Sequence, residues 1–541
     1  MFATHKSRRT IRPNSKASTP RSFRSALALA AIGLPLVGFG AVAWADETHG
    51  APSDGPSTRG PRSRLTLTGE WNVETTTQKN FDLGRTTDTA APGSASDFDA
   101  FWQQELKLYP RLILSDNLNI NLGWTLGQGV WGLDLDPNSG SGLSGLSHKG
   151  TFVPFHLNWA FLAYRHAPTK TRWYIGRQRW SLGHKLVLDT NGDGLQIHRE
   201  LPGLASNLIL GFAKMSEGTD GLTDQNRTPQ LGADGRDADL WFLNWDYRPA
   251  SGGFAFSPFF VSYVDRGNAD GITLFPDGLD DVSARFRPQI SSAKAFGASL
   301  ALQRGVLHLD AEFDQLTGTD RVKNANSGQF EMHDVNNGDL KGSNLYARLA
   351  LAGSRIELGG TFAQGSGDDD PRAGEGNINS IRETGWFYIT EVWEDTVALD
   401  EDGVAPGGLG SPFVRGYRGL ENTRILQGHA ALQASQRLRV TGTFSLIRAS
   451  KGIRSWADAN GDGAIDASEF GSRVSTELGS EIDGRFDWHL DHDATLSLRG
   501  GMFFPREAAG WLVHGTSKYQ EKVREIRLHL TVPIPEFSLG G

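Results

Sequence analysis

A twelve-residue segment late in the chain carries oxygen atoms at the spacing of a calcium-binding loop. Residues 458–469 offer side-chain oxygens at loop positions 1, 3, 5, 9 and 12 and a backbone carbonyl at position 7, so the predicted ligands are Asp458, Asn460, Asp462, Ala464, Asp466 and Glu469. Gly463 at position 6 allows the sharp turn that such a loop needs. Because Ca²⁺ takes six to eight oxygen ligands, we predict that this loop holds Ca²⁺ as a structural ion. The alternative is an acidic turn that has this spacing by chance.

A second segment repeats part of the pattern. Asp189-Thr-Asn191-Gly-Asp193-Gly194 is followed by Glu200 at position 12. Residues 194–200 are also needed as a β-strand, and an extended strand does not wrap around an ion. We therefore favour the strand interpretation, although the sequence alone leaves calcium binding at 189–200 open.

Motifs that indicate catalysis are absent from the sequence. It has no nucleophile elbow, no His-Glu-x-x-His, no phosphate-binding loop and no cysteine. The 14 histidines are scattered without ligand spacing. We therefore expect a protein that is not an enzyme. Barrel-borne phospholipases and omptin-like proteases stay an alternative, because they need only a few polar residues that converge at one rim.

The charged residues recur at every second position within apolar segments of about ten residues. In the first segment Leu65, Leu67 and Trp71 share one face, and Glu70 and Glu74 share the other. This alternation is typical of a β-strand with one apolar and one polar face. A length of about ten residues favours a tilted membrane crossing, since strands of soluble proteins average five or six.

The turns between these segments predict the topology. Short and long connections alternate, as they do in bacterial barrels with short periplasmic turns and long outer loops. The sequence predicts an all-β transmembrane antiparallel barrel of about 18 strands (16–18), with strands that begin near residues 64, 101, 118, 155, 171, 194, 207, 238, 254, 295, 306, 343, 354, 424, 437, 476, 494 and 523. Such a barrel is wide enough for an aqueous channel.

The first 45 residues have the pattern of a cleaved signal peptide. Seven basic residues and no acidic one precede an apolar run from Ala26 to Val42, and Ala43-Trp44-Ala45 suits a signal peptidase. A retained membrane anchor is the alternative. Without this segment the net charge is −15, against −8 for the whole chain, which argues against nucleic-acid binding. We expect a signal peptide at 1–45, a flexible periplasmic segment at 46–63 and the barrel at 64–541.

The polar faces of the strands are predicted to line the lumen of the barrel. Charges of both signs that line a water-filled pore set its selectivity, although opposed charges also pair simply for structural reasons. The alternation assigns these residues to the lumen: Glu105, Lys107, Arg111, Arg355, Glu357, Arg437, Arg439, Glu477, Glu481, Asp483, Arg485, Arg499, Glu525, Arg527 and His529.

Two stretches resemble the alginate export family of outer-membrane porins. They are residues 171–188, which contain Gly-Arg-Gln and precede Asp193-Gly194, and residues 477–505, from Glu-Leu-Gly-Ser-Glu-Ile-Asp to Gly-Met-Phe-Phe-Pro. The resemblance implies an 18-stranded barrel whose lumen is narrowed by inward loops and passes an anionic polysaccharide. It implies that Arg177, Asp193, Glu481 and Asp483 line the pore. Arg179 is added to this set, although alternation around Ile175 leaves the facing of both arginines open.

Two functions follow as hypotheses. The first is a passive channel of the bacterial outer membrane that passes a polar or anionic solute, with exopolysaccharide export as one form of it. The long connection 365–423, with Asp368-Asp369-Asp370 and Trp386-Phe387-Tyr388, is the predicted constriction, and an exposed surface loop is the alternative. The second is a structural barrel that sheathes an electron-carrying partner or serves as an adhesion platform. A sheath needs an open lumen and a channel needs a constriction. In both cases we expect a monomer embedded in outer-membrane lipid.

Overall fold

The structure is a computed structural model, and one compact unit of the chain, Phe39–Gly541, contains every residue that it describes. The described residues are 63–80, 83, 98–131, 155–216, 238–265, 291–320, 338–367, 375–377, 379, 381–383, 389–394, 420, 422–457, 459, 469–517 and 521–539. The predicted signal peptide and residues 46–62 of the predicted flexible segment lie outside this set.

Eighteen long strands and two short ones make up the fold. The strands are β1 Arg64–Lys79, β2 Phe98–Ser115, β3 Leu118–Val130, β4 Phe155–His166, β5 Thr171–Ser181, β6 Leu188–Leu201, β7 Ser206–Ser216, β8 Ala238–Tyr247, β9 Phe254–Asp265, β10 Ser291–Arg304, β11 Leu307–Asp320, β12 Gly338–Ala352, β13 Ile356–Gly365, β14 Glu375–Asn377, β15 Arg382–Glu383, β16 Thr423–Gln433, β17 Leu438–Trp456, β18 Phe470–His489, β19 Thr495–Pro505 and β20 Val523–Leu539. One α-helix, α1 Glu507–His514, follows β19.

The long strands form a closed ring. Each pairs antiparallel with the next one along the chain, and β13 pairs with β16 across the long connection that contains β14 and β15. The ring closes where β1 pairs with β20, from Leu65 opposite Leu539 to Lys79 opposite Arg524. The predicted 18-stranded antiparallel barrel is therefore confirmed.

The two faces of the wall differ as the alternation predicts. On β18, Ile482, Phe486 and Trp488 are about half exposed and point outward. Glu481 and Asp483, on either side of Ile482 in the chain, are buried in the interior. The outer face carries many more exposed apolar side chains, including Trp71, Trp241, Phe444 and Leu446. An apolar, aromatic outside on a closed antiparallel barrel is the surface that hydrocarbon requires, because every strand edge is paired. The protein is an outer-membrane β-barrel. Among the described residues, no helix is both long and apolar enough to span a bilayer.

The connections sort by length to opposite ends. Turns of two to six residues join β2 to β3, β4 to β5, β6 to β7, β8 to β9, β10 to β11, β12 to β13, β16 to β17 and β18 to β19. The remaining connections lie at the other end and are longer, except for the six residues 182–187 between β5 and β6. Most predicted strand starts agree closely. The largest differences are at β6, which begins at Leu188 instead of 194, and at β18, which begins at Phe470 instead of 476.

Two apolar clusters cover the inside of the barrel at its long-loop end. One joins the walls formed by β12 to β20 to Trp393 of the long connection and to Trp511 of α1. The other joins the walls formed by β5 to β11 to Leu182 and Val187 of the β5–β6 connection. Inward-facing apolar residues such as Leu240 and Phe242 are fully buried there. Parts of the connections therefore fold back into the lumen and take water off these residues.

Candidate functional site: a lumen narrowed by a crossing segment

The connection between β13 and β16, residues 366–422, has described residues that lie inside the barrel; we call this connection the crossing loop. It leaves the wall through a cluster of amide and hydroxyl side chains. Asn379 donates to the Asn344 side chain (3.0 Å) and to the Ser343 carbonyl (3.2 Å), and Asn344 donates to the Asn379 carbonyl (2.7 Å). Asn377 and Ser366 hydrogen-bond within the same cluster. These bonds satisfy buried polar groups that no water would reach, and they fix the start of the loop against β12.

The middle of the crossing loop meets the opposite part of the ring. The Ile381 N–H donates to the Val187 carbonyl at 2.8 Å. Beyond it, β15 pairs parallel with the start of β6, so that Arg382 lies opposite Leu188 and Glu383 opposite Asp189. Six strands, β7 to β12, lie between β6 and β13 in the ring. The loop therefore has to span the lumen to make this pairing.

The returning part of the crossing loop is held by an interior carboxylate. Val392 and Trp393 donate their backbone N–H groups to Glu481 at 2.7 and 2.8 Å. Gln427 of β16 donates to the Ile389 carbonyl at 2.6 Å. Within the segment, Glu394 accepts the N–H groups of Ile389 and Thr390 at 2.8 Å each. Six buried residues, 389–394, thus form a tightly bonded turn against β16 and β18.

Below this turn, three arginines lie side by side on the inner wall. The strand register places Arg485 of β18 opposite Arg499 of β19, and Arg499 opposite Arg527 of β20; we call these three residues the arginine row. Three like charges in adjacent strands repel one another. Each needs a nearby carboxylate or a supply of anions to be stable in this arrangement.

Carboxylates from the wall and from the crossing loop surround the arginine row. Arg485 donates to Asp487 at 2.7 Å, Arg527 donates to Glu525 at 3.0 Å, and Arg499 donates to Glu74 of β1 at 3.2 Å. Glu391 of the crossing loop lies 3.7 Å from Arg499. A guanidinium has five N–H donors, and the arginine side chains are 13–24 % exposed. Part of each guanidinium group is therefore exposed to the lumen.

A second charged cluster lies closer to the short-turn end. Glu357 of β13 accepts from Arg348 at 2.7 Å and from Arg439 at 3.0 Å, and the His429 ring nitrogen is 3.1 Å away. Two guanidinium groups thus share one carboxylate. The cluster carries an excess positive charge on the β12–β17 side of the lumen.

The structure brings most of the predicted lumen residues to the inner wall. Glu105, Lys107, Arg111, Glu357, Arg439, Glu481, Asp483, Arg485, Arg499, Glu525, Arg527 and His529 all lie on the inward alternation of their strands. Arg437 and Arg355 lie in turns at the short-turn end, where Arg437 is 63 % exposed and bonds Asp491. Glu477 pairs with Arg448 on the outer side of β17 and β18.

Arg177 and Asp193 lie on the opposite side of the wall from the one predicted. Their pairing places them on the face of Ile175, which is 52 % exposed, and not on the face of the buried Gln178. The same row continues across the next two strands to Lys214 of β7 and Asp239 of β8, whose charged groups are 2.9 Å apart. Arg179 shares this alternation and forms a two-bond pair with Asp189 at 2.7 and 2.8 Å. Sequence could not resolve the facing, because both faces of β5 around Ile175 mix polar and apolar side chains.

The two candidate calcium segments differ. Residues 189–200 lie entirely within β6, paired with β5 on one side and β7 on the other, so they cannot form a loop around an ion. In segment 458–469 only Ala459 and Glu469 are described, and the Glu469 carboxylate accepts the Ala459 N–H at 2.8 Å. Asp458, Asn460, Asp462, Ala464 and Asp466 lie outside the described residues, as do 368–370 and 386–388 of the crossing loop.

Several residues of the site cannot be distinguished in the sequence from ordinary loop or strand residues. Glu391 and Glu394 lie in a long connection without alternation, and His184 lies in a short one. Glu312 and Asp314 alternate with apolar residues like any lumen-facing pair. Only the folding of loops into the lumen makes them distinctive.

Comparison with known proteins finds distant similarity in fold to solved structures. No protein-family model and no curated protein sequence matches the chain. OccK1 (OpdK) of Pseudomonas aeruginosa is 9 % identical, with 88 % of this chain and 99 % of that chain covered and a TM-score of 0.47. OccK8 (OprE) of the same organism is 10 % identical, with 88 % and 98 % covered and a TM-score of 0.46. A BenF-like porin from Pseudomonas fluorescens Pf-5 is 11 % identical, with 88 % and 99 % covered and a TM-score of 0.45. Similarity at this level does not indicate what passes through the lumen.

Proposed function

We propose that the protein is a channel that passes small polar or anionic solutes across the outer membrane. The observation that carries this proposal is the arginine row beneath the crossing loop. A solute carboxylate or phosphate that enters the lumen meets guanidinium donors in a narrowed, partly desolvated space, where charge-assisted hydrogen bonds are strong. The adjoining carboxylates keep those bonds weak enough to be exchanged, which conduction requires.

The crossing loop favours a channel over the alternative of a protein sheath. A sheath must leave room for a folded partner along its axis. Here the crossing loop and residues 182–187 meet inside the ring, and residues 389–394 are held against the far wall. An adhesion platform would not need charged side chains in the lumen, because its contacts lie on the outer loops.

Conductance of the refolded protein in a planar bilayer tests the proposal. We expect discrete single-channel steps with small ions and a preference for anions in a salt gradient. Small carboxylates added to one side should lower the current in a concentration-dependent way. A folded barrel without conductance would overturn the proposal and favour the sheath.

Exopolysaccharide export is the form of this function that the resemblance in sequence suggested. The same bilayer experiment separates it from the passage of small solutes. If acidic oligosaccharides cross, as measured by their appearance on the far side, the channel serves a polymer. If they only block from one side while small carboxylates cross, the solute is small.

We also propose that residues 458–469 bind Ca²⁺ in an outer loop. The spacing of the oxygen-bearing residues supports this proposal, and so does the hairpin of β17 and β18, which brings both ends of the segment together where Trp456 pairs with Phe470. A site outside the cell needs only millimolar affinity. The ion would hold the loop in one conformation and take no part in conduction.

A further inference from the structure

The six residues between β5 and β6 reach across the lumen to the inner wall of β11. His184 in this segment donates its backbone N–H to the Glu312 carboxyl group, and its Nδ1 is 2.8 Å from the same oxygen of Glu312. Both residues are buried, with 1 % and 0 % of their side chains exposed. The His184 ring also lies 5.0 Å from the Tyr346 ring of β12. One carboxyl group thus holds the tip of the segment to β11, which four strands of the ring separate from β6.

The surroundings of this contact leave few other partners for the segment. On β12 the residues opposite Asp310, Glu312 and Asp314 are Arg348, Tyr346 and Asn344. On β10 the residues opposite the same three are Ala301, Ser299 and Gly297. Arg348 is already bonded to Glu357 at 2.7 Å, and His308 is a further titratable group, close to Asp310. The backbone at Gly183 approaches the Glu312 carboxyl group so closely that a Cβ at this position would clash with it.

The same segment carries the attachment point of the crossing loop. Val187 accepts the Ile381 N–H at 2.8 Å, and Leu188 and Asp189 pair with β15 directly after it. Only two residues, Lys185 and Leu186, lie between His184 and Val187 in the chain. The position of the crossing loop on the β6 side therefore depends on where residues 182–187 are held.

We propose that His184 and Glu312 are positioning residues of the constriction: they hold residues 182–187 against β11 and so fix the place where the crossing loop is attached. This inference rests on the proposed channel function, because it assigns the pair to the width of the pore. Neither residue needs to contact the solute. Loss of the contact lets the segment and the attached part of the crossing loop move apart from the wall.

The protonation of His184 supports the same assignment. Burial lowers the pKa of His184 from 6.5 to about 4, although Asp310 acts in the opposite direction. A histidine with a depressed pKa binds a proton less well when docked than when released. Docking is therefore unaffected above pH 6.5 and weakens progressively as the pH falls from 6.5 to about 4.

The experiment compares removal of the contact with its conservative replacement in the full-length refolded barrel. Glu312→Ala removes the acceptor, whereas Glu312→Gln keeps an oxygen at the same place. His184→Ala removes the ring, whereas His184→Asn keeps a nitrogen near the position of Nδ1 and does not titrate. Asp246→Asn is the matched control, because Asp246 is also a buried inner-wall carboxylate, bonded to Ser257 at 2.8 Å and remote from the segment. Single-channel conductance and amide hydrogen exchange of residues 182–187 are measured for each.

We expect Glu312→Ala to raise the conductance at least twofold and to speed exchange at residues 182–187 by tenfold or more, with His184→Ala in the same direction. Glu312→Gln, His184→Asn and Asp246→Asn should stay within twofold of the parent conductance. Between pH 6.5 and 4 the parent conductance should rise, and His184→Asn should lack this rise.

Two results would overturn the inference: folded alanine variants with parental exchange and conductance, or an acid transition that persists in His184→Asn. If Glu312→Ala fails to give a folded barrel, His184→Ala carries the test, since it leaves the wall intact. A parent barrel that does not conduct contradicts the proposed function instead. Hydrogen exchange then still decides whether the pair positions the segment.

Discussion

At the scale of single residues, the arginines of the arginine row are paired with carboxylates that come from different parts of the fold. Each of its guanidinium groups bonds a carboxylate, but the partners come from three sources: the same strand, the next strand but one and the crossing loop. Arg499 is the residue where the last two meet, with Glu74 on one side and Glu391 on the other. Glu391 lies in a loop, so an anion that binds Arg499 in the proposed channel would replace it without unfolding any strand. Arg499 is therefore the arginine whose removal should change selectivity most directly.

We expect Arg499→Gln to lower the anion-over-cation permeability ratio by roughly three- to tenfold. A unit charge about 4 Å away is worth about 1 kcal/mol in water and more where water is partly excluded, and 1.4 kcal/mol corresponds to tenfold. The reversal potential in a salt gradient measures this ratio. Arg437→Gln is the control, because Arg437 lies exposed in a turn. An unchanged reversal potential in a folded Arg499→Gln barrel would remove the row from the selectivity mechanism.

At the scale of elements, the crossing loop is held by hydrogen bonds to its backbone more than by regular structure. Its described parts contain only two short strands, β14 and β15, and the turn 389–394. Interior side chains such as Glu481 and Gln427 satisfy its N–H and C=O groups. A loop inside a barrel needs such partners, because a buried unpaired backbone group costs about as much as a lost hydrogen bond. The polar residues on the inner wall therefore position the loop.

The β17–β18 connection is a second element whose order we expect to depend on a ligand. The double variant Asp458→Ala with Glu469→Ala should leave the barrel folded but make residues 457–469 sensitive to protease, because the loop loses its ion. Limited proteolysis with and without a chelator checks this, and the chelator should give the parent the same cleavage pattern as the variant. Equal resistance of the parent in both conditions would contradict calcium binding. Asp491→Ala, in an exposed turn at the other end of the barrel, is the control.

At the scale of the whole molecule, one wall faces lipid on its outside and the lumen on its inside. Apolar residues face hydrocarbon on its outside, and ion pairs with loop contacts fill much of its inside. The inner apolar clusters exist only because loops cover them at the long-loop end. The inner face of the wall is therefore polar near the short turns and apolar where the two loop-covered clusters lie.

A charge placed on the outer face should destabilise the whole barrel. Ile482 is 52 % exposed on the outside of β18, about midway along the strand. We expect Ile482→Arg to lower the free energy of unfolding in lipid by about 2–4 kcal/mol, the usual cost of a basic residue near the middle of the bilayer. Denaturant titration of the barrel in lipid vesicles measures it. Asp491→Arg in the exposed turn should change stability little; equal losses for both variants would contradict the assigned lipid face.

The strands were predictable because their alternation is a local property. On β1 and β18 the polar face reads directly from the sequence, and most of the predicted lumen residues on those strands lie inward. On β8 both Trp241 and Phe242 are apolar, yet only Trp241 faces outward. Sequence could not tell them apart, because the loops that cover Phe242 lie far away in the chain. The same reason hid the His184–Glu312 contact and reversed the expected facing of Arg177.

The pairing of β1 with β20, the seam that closes the ring, constrains how the barrel folds. Gln78 and Glu525 bond across it over a separation of 447 residues. Contacts between such distant parts of a chain form slowly, since a large loop must close before any pairing is gained. Until then the sheet has two bare edges whose N–H and C=O groups hydrocarbon cannot satisfy, and bare edges also recruit other chains. Membrane insertion and seam closure must therefore proceed together, and a chain arrested between them is a substrate for aggregation and proteolysis rather than a leaky channel.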